Sequence, residues 1–192
     1  MILVNLYGAP GAGKSTGAAY IFSQLKMRGI NAELVTEFAK DKVWEESKEV
    51  FNNQAYIFGK QYFRISRCAD KVDVIITDSP LLLSTIYNDN PILGEEFNNV
   101  VRNVANSYYS INYYITRVKD YNPKGRFQSE EESDAIANRV KNMLDCEGVE
   151  YIEKPGSKAS YDEIYEEVFE TVLVNEILNS LDETEELPED EE

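Results

Sequence analysis

The sequence predicts an α/β fold, with one doubly wound parallel sheet of about five strands and helices on both faces. Three observations lead to this class. Short apolar runs alternate with longer segments of helical periodicity, which is typical of parallel sheets whose strands are joined by helices. No internal repeat or linker divides residues 1–181, so we expect one domain. Polar side chains follow the apolar runs, at the edge where such sheets bind ligands.

The individual elements follow from the spacing of apolar residues. The predicted strands are ILVNLY (2–7), AELVTE (32–37), VDVIIT (72–77), INYYIT (111–116) and VEYIEK (149–154). The predicted helices cover residues 14–28, 52–70, 95–108, 129–146 and 160–181. Ser129 and Glu132 have the spacing of a capping box at the start of the fourth of these helices.

Composition limits the chemistry that this chain can perform. It has no histidine and two cysteines, so catalysis must come from carboxylates, Lys, Arg, backbone amides and a hard cation. The formal net charge is −16, which makes binding to nucleic acid unfavourable. Residues 182–192 carry eight acids and no base, and we expect them to form a disordered tail. Because there is neither a signal peptide nor a membrane-spanning apolar run, we expect a cytoplasmic protein.

Residues 8–15, GAPGAGKS, match the pattern G-x-x-x-x-G-K-[ST] of a phosphate-binding loop, which predicts a P-loop NTPase fold. The match lies between a strand and a helix, the context in which this pattern binds a nucleoside triphosphate. Lys14 is expected to reach the β- and γ-phosphates as a catalytic group, and Ser15 to bind Mg²⁺. The expected nucleotide contacts are Gly8, Gly11, Ala12, Gly13, Lys14, Ser15 and Thr16.

A second metal contact is expected at the end of another buried strand. Asp78 follows the run VDVIIT directly, and an acid at such a position commonly contacts the Mg²⁺ of the bound nucleotide. The alternative is that Asp78 caps a helix that starts at Ser79 and Pro80.

Three further stretches, TEFAKDKVW, ITDSPLLLS and TRVKDYNPKGR, resemble the P-loop kinases of nucleosides, nucleotides and nicotinamide riboside. The chain is especially similar to compact ATP-binding proteins of bacteriophages. The resemblance implies that ATP and Mg²⁺ are the cofactors, that Glu37 binds or deprotonates the acceptor, and that Trp44 lines the acceptor pocket. Phe38 stands where those kinases carry proline. The alternative for Glu37 is a helix cap or an ion pair.

The same resemblance suggests how the acceptor is held and enclosed. Gln61 and Arg64 would bind a base or a phosphate of the acceptor, whereas the alternative is a solvated polar helix face. A monophosphate acceptor would need Arg64 and Arg67. The basic segment 117–128 would be a mobile lid whose Arg117 and Arg126 neutralise the transferring phosphoryl group, unless they form ordinary surface pairs.

These observations favour an ATP-dependent kinase that transfers the γ-phosphoryl group to a small nucleoside, nucleotide or related ribosyl acceptor. Two alternatives remain open. One is a nucleotide-binding regulatory ATPase that acts on a protein partner through the acidic tail, and the other is a kinase of modified bases in phage DNA. The sequence also allows a homodimer.

Overall fold

One parallel sheet forms the centre of the domain in the computed structural model, which describes residues 1–122 and 129–185. Its strands are β1 (Ile2–Tyr7), β2 (Ala32–Val35), β3 (Val74–Thr77), β4 (Ser110–Thr116) and β5 (Ile152–Pro155). The spatial order is β2-β3-β1-β4-β5, and each pair of neighbours is parallel. The predicted five-stranded parallel α/β fold is therefore confirmed.

The described residues form seven α-helices, of which six lie between strands and the last follows β5. They are α1 (Lys14–Met27), α2 (Phe38–Trp44), α3 (Gln54–Ser66), α4 (Leu83–Ile86), α5 (Gly94–Ala105), α6 (Glu130–Cys146) and α7 (Lys158–Glu185). A 3₁₀ turn at Lys48–Asn52 precedes α3. The sequence did not predict α2, α4 or this turn, because segments of seven residues or fewer are too short to show a helical period.

Helices cover both faces of the sheet because the strands carry apolar side chains on both faces. Val4 and Leu6 face α1 and α7, where Ile21 and Ile164 are fully buried. Leu3 and Tyr7 point to the opposite face, which α3, α5 and α6 cover with side chains such as Ile65, Val101 and Leu144. The core is thus split by the sheet, as a doubly wound fold requires.

The register of the sheet determines where its connecting loops meet. β1 is central, with Asn5 beside Thr77 of β3 on one side and beside Asn112 of β4 on the other. Since all strands run in the same direction, the segments that follow them lie at one edge of the sheet. The loop after β1 therefore has the segment after β3 and the segment after β4 as its neighbours.

Several predicted boundaries were wrong. β2 ends at Val35 rather than residue 37, because the chain turns there into α2. The last helix was predicted to begin at residue 160 and end at residue 181, but α7 begins at Lys158 and continues past Leu181. The described part of that helix extends to Glu185, so the first residues of the predicted tail are helical. Residues 186–192 lie outside the described residues.

Two further features concern the helices. The capping box that starts α6 is confirmed: Ser129 Oγ accepts a bond from the N–H of Glu132, and Glu132 Oε2 accepts one from the N–H of Ser129. In the part of the chain that the structure describes, no helix has the combined length and apolar character needed to cross a membrane.

Candidate functional site

The loop between β1 and α1 has the shape that phosphate binding by the backbone requires. Gly8 and Gly13 have φ angles of 135° and 104°, which residues with a Cβ rarely adopt. A Cβ on Gly8 would also overlap the carbonyl oxygen of Ile115. Gly13 occupies the N-cap of α1 and has no side chain with which to cap the N–H groups of the first helical turn. This helix start is therefore suited to an anion.

The predicted nucleotide contacts all belong to this one turn of chain. Lys14 Nζ donates hydrogen bonds to the carbonyl oxygens of Gly8 at 2.8 Å and Ala9 at 2.9 Å, which hold the ammonium group over the loop. Ser15 and Thr16 are exposed in the first turn of α1, directly after Lys14. The structure thus brings a cation, two hydroxyls and a helix start to the carboxyl edge of β1.

Two carboxylates approach this loop from the ends of β2 and β3. Asp78 follows β3 and is 3% exposed, and its Oδ1 accepts a hydrogen bond from the backbone N–H of Glu37 at 3.0 Å. Glu37 is the N-cap residue of α2, but its side chain caps no N–H group of that helix. The bond from its N–H to Asp78 fixes the Glu37 backbone. We call the region bounded by the phosphate-binding loop, Glu37 and Asp78 the cleft.

The electrostatics show that these groups share one site. Desolvation by burial raises the pKa of the Glu37 carboxyl above its ordinary value, while the Lys14 ammonium opposes this shift and the Asp78 carboxylate adds to it. Burial also raises the pKa of Tyr87 to about 12, and the charge of Glu37 adds to that increase while Arg139 opposes it. Tyr87 and Arg139 therefore lie on the Glu37 side of the cleft. Sequence reasoning missed both, because neither carries a motif.

The alternative for Gln61 of α3, a solvated polar helix face, is wrong because this side chain is buried. Gln61 is 4% exposed, its Oε1 accepts a bond from the Phe38 N–H at 2.9 Å, and its Nε2 donates to Thr77 Oγ1 at 3.4 Å. These bonds tie α3 to the start of α2 and to the end of β3. Gln61 thus lies beside the predicted acceptor site, with its carbonyl oxygen already bonded to the backbone of α2.

The two arginines proposed for a monophosphate acceptor are both paired with acids. Arg64 Nη2 contacts Asp41 Oδ2 at 2.5 Å, and its Nη1 donates to the Thr36 carbonyl oxygen at 3.1 Å. Arg67, just past the end of α3, lies 3.7 Å from Glu33, an early residue of β2 and so distant from the carboxyl edge. Of the two, only Arg64 is near the cleft.

The structure describes two of the three remaining predicted residues, Trp44 and Arg117. Trp44 is the last residue of α2 and is 68% exposed, so it lies at the surface rather than in the core. Arg117 follows β4 and is held against α6 by Asp134 at 2.6 Å and Glu130 at 3.2 Å. Arg126 belongs to residues 123–128, which lie outside the described part of the chain.

Three residues that the sequence did not predict contact carbonyl oxygens of the phosphate-binding loop. Tyr161 of α7 donates from Oη to the Gly13 carbonyl oxygen at 3.0 Å, and Ser133 of α6 donates from Oγ to the Pro10 carbonyl oxygen at 2.8 Å. Gly156 follows β5 and packs so closely that a Cβ there would overlap the Ala12 carbonyl oxygen. Only Gly156 carried a signal, since it follows a predicted strand at the carboxyl edge, as the other cleft residues do.

Comparison with known proteins agrees with this architecture. A family model of the AAA domain, AAA_28, matches residues 3–163. Among solved structures, deoxyadenosine kinase from M. mycoides with bound dATP is similar to the chain with a TM-score of 0.53 and 18% sequence identity, over 86% of this chain and 98% of that chain. This likeness concerns the fold, and at that level the predicted resemblance to P-loop nucleoside kinases is confirmed. No curated protein matches the sequence. The matched region spans most of the chain and includes the phosphate-binding loop near its start. This chain therefore belongs to the AAA domain family AAA_28.

Proposed function

We propose that this protein is an ATP-dependent kinase that transfers the γ-phosphoryl group to a small nucleoside or related ribosyl acceptor. One observation carries the proposal. The Glu37 carboxyl group lies within electrostatic range of both Lys14 and Asp78, yet it caps no helix and its pKa is raised by burial. A carboxylate beside a phosphate-binding loop, with a pKa raised above its ordinary value, is suited to accept the proton of an attacking hydroxyl group.

The donor half of the reaction rests on the loop. Backbone N–H groups at the start of α1 would bind the triphosphate, and the Lys14 ammonium would exchange its bonds to Gly8 and Ala9 for bonds to phosphate oxygens. Tyr161 and Ser133 keep the loop in place through its carbonyl oxygens. These contacts preorganise the site, so little reorganisation is needed when charge develops on the transferred group.

The residues present also fit Mg²⁺. Among residues 1–122 and 129–185, no three His, Cys, Asp or Glu side chains cluster to hold a metal by themselves. Mg²⁺ suits such a site, because it is commonly bound by one or two protein oxygens together with substrate phosphates and water. Ser15 and Asp78 would hold it. When bound, it would neutralise charge on the phosphates of the nucleotide.

The pairing of the arginines favours an acceptor without a phosphate of its own. Arg64 already contacts Asp41, and Arg67 contacts Glu33 near the far edge of the sheet. A monophosphate would have to displace Asp41 from Arg64, and the Glu37 carboxylate would repel it. A neutral nucleoside meets neither cost, so we place nucleosides ahead of nucleotides as acceptors.

A panel of acceptors separates this function from the alternatives. The protein is incubated with ATP, Mg²⁺ and individual nucleosides, ribosides and nucleotides, and both phosphorylated product and free inorganic phosphate are measured. A nucleoside kinase gives a phosphorylated nucleoside. Release of phosphate at a rate that no acceptor changes would instead support a regulatory ATPase, and phosphorylation only of DNA would support the modified-base alternative. Cytoplasmic location and dimerisation stay predictions.

The Glu37→Gln variant tests the proposed base directly. It keeps the size of the side chain but cannot accept a proton, so we expect the transfer rate to fall about 10²- to 10⁴-fold while binding of an ATP analogue changes little. The control is Glu49→Gln, which makes the same charge change at an exposed position between α2 and α3. Transfer by Glu37→Gln at the rate of this control would contradict the proposed role.

A further inference from the structure

The second half of α7 carries apolar side chains that the described part of the chain does not cover. Four large ones follow one another over two turns and are between 39% and 59% exposed: Leu173, Val174, Ile177 and Leu178. We call these four residues the outer stripe. The last buried residue described on α7 is Val172, and the described helix continues to Glu185. At about 1.5 Å per residue, it extends about 20 Å beyond its last buried residue.

The outer stripe lies on the opposite side of α7 from the side chains that enter the core. The buried apolar residues of this helix pack with α1 and the sheet, and they are Tyr161, Ile164, Tyr165, Val168 and Val172. At 3.6 residues per turn, the middle of the outer stripe is nearly opposite the middle of this buried set. The outer stripe is thus a second apolar face that points away from the domain, and it does not continue the core face.

The charges next to the outer stripe are acidic. Glu170 lies one turn before Val174 on the same side of the helix, and Glu176 lies one turn after Leu173. Both glutamates are exposed, and neither has an ion-pair partner among the residues that the structure describes. Residues 159–192 contain no Lys or Arg. The outer stripe therefore combines apolar surface with unpaired negative charge.

These charges indicate which kind of partner can cover the outer stripe. A second copy of α7 would bring further acids toward Glu170 and Glu176, whether the two helices were parallel or antiparallel, because residues 159–192 offer no basic side chain. An anionic membrane surface would be repelled for the same reason. A helix with its own apolar row and with Lys or Arg beside that row would bury the stripe and pair with both carboxylates.

We propose that the outer stripe is a docking face for a basic amphipathic helix of another protein. Apolar side chains of that helix pack against the outer stripe, and its Lys and Arg side chains contact Glu170 and Glu176. Docking at this face uses no residue of the nucleotide cleft, so the proposal does not depend on the proposed kinase activity.

A synthetic helical peptide of Leu and Lys, with Leu at spacings of three and four residues, is a suitable probe. Its binding to the full-length protein is measured by fluorescence anisotropy. Two control peptides are used: one has the same composition in scrambled order, and the other has Glu in place of Lys. We expect the probe to bind at least about tenfold more tightly than either control, and less tightly as salt is added. Equal binding by the scrambled peptide would show attraction of charge alone and overturn the proposal.

Paired variants test whether the probe binds at the outer stripe. Val174→Gln/Ile177→Gln removes two of its four apolar side chains, keeps the net charge and uses a good helix former, so it should weaken binding at least about tenfold. The matched control is Ile92→Gln/Val100→Gln, which changes the same residue types at exposed positions just before and within α5. The control should bind as the wild type does. Unchanged affinity of Val174→Gln/Ile177→Gln would overturn the proposal.

The two carboxylates and the assembly of the protein alone give separate tests. Glu170→Gln/Glu176→Gln should weaken binding of the probe about threefold or more at low salt and much less at high salt, because it removes only the charge pairs. An equal loss at both salt concentrations would contradict the role of these glutamates. A dimer of the protein alone that Val174→Gln/Ile177→Gln dissociates, as measured by analytical ultracentrifugation, would also overturn the proposal, since a second copy would then cover the outer stripe.

Discussion

Replacing Gly17 by alanine should destabilise the protein, although the same change in a helix usually stabilises it. Gly17 is buried in the first turn of α1, and an added Cβ would lie 2.5, 2.8 and 3.0 Å from three ring carbons of Tyr161. The ring cannot move away cheaply, because Tyr161 is 5% exposed and its Oη is bonded to the Gly13 carbonyl oxygen. The clash must therefore displace either α7 or the phosphate loop.

The size of the effect follows from two opposing contributions. Alanine gains up to about 1 kcal/mol over glycine from helix propensity, whereas overpacking of a tight core site costs about 1–3 kcal/mol. Because these contacts are short and the Tyr161 ring is held in place, we put the overpacking cost near the upper end of that range. We expect a net loss of about 1–2 kcal/mol, which for a domain of this size lowers Tm by about 2–8 °C.

Gly59 supplies the matched control for this experiment. It lies on the exposed side of α3, and an added Cβ there would meet nothing within 4 Å. Gly59→Ala should therefore raise Tm by about 2–4 °C, the opposite sign from Gly17→Ala. Thermal unfolding followed by circular dichroism measures both, and a Tyr161→Leu background should remove most of the Gly17→Ala penalty. A stabilising effect of Gly17→Ala, or an equal penalty in both backgrounds, would refute the reasoning.

Two further predictions concern the groups around the loop. Because burial raises the pKa of Glu37, the folded protein keeps its proton at pH values where the unfolded chain has lost it, so the unfolding free energy falls as pH rises through this window. Urea unfolding from about pH 4 to about pH 8 should show Glu37→Gln becoming more stable relative to the wild type as pH rises, and a constant difference would contradict this. Gly156→Ala should push the Ala12 carbonyl oxygen out of position and weaken binding of a fluorescent ATP analogue, with Gly59→Ala as control. Unchanged affinity would show that the loop tolerates the shift.

Local patterns predicted the fold well where an element was long and strongly apolar. β1, α1 and α6 appear within one residue of their predicted positions, because each has both periodicity and a start or stop signal. β5 begins at Ile152 instead of residue 149, since its edge position leaves it with a weak apolar pattern. The short α2 was missed, and it is this helix that places the Glu37 backbone beside Asp78.

The polar face of α3 shows why side-chain roles are harder to predict than elements. Gln54 and Gln61 share one face by their spacing, and a polar face indicates solvent in an isolated helix. In the fold, both are buried, and Gln61 bonds to the backbone of Phe38. No local pattern contains that information, because the partner lies 23 residues earlier in the sequence and only the fold brings the two residues together.

The sequence by itself determined the phosphate-binding loop and the order of the strands and longer helices along the chain, because both depend on residues that are adjacent or periodic in the sequence. Gly8, Gly13 and Lys14 act through their own backbone angles and their immediate neighbours, so a contiguous motif encodes them. Only the tertiary structure raises the pKa of Glu37 and brings Tyr161 into contact with the loop, where its Oη donates to the Gly13 carbonyl oxygen. Those properties arise from burial and from contacts between segments far apart in sequence, and they exist only once the sheet has brought the segments together.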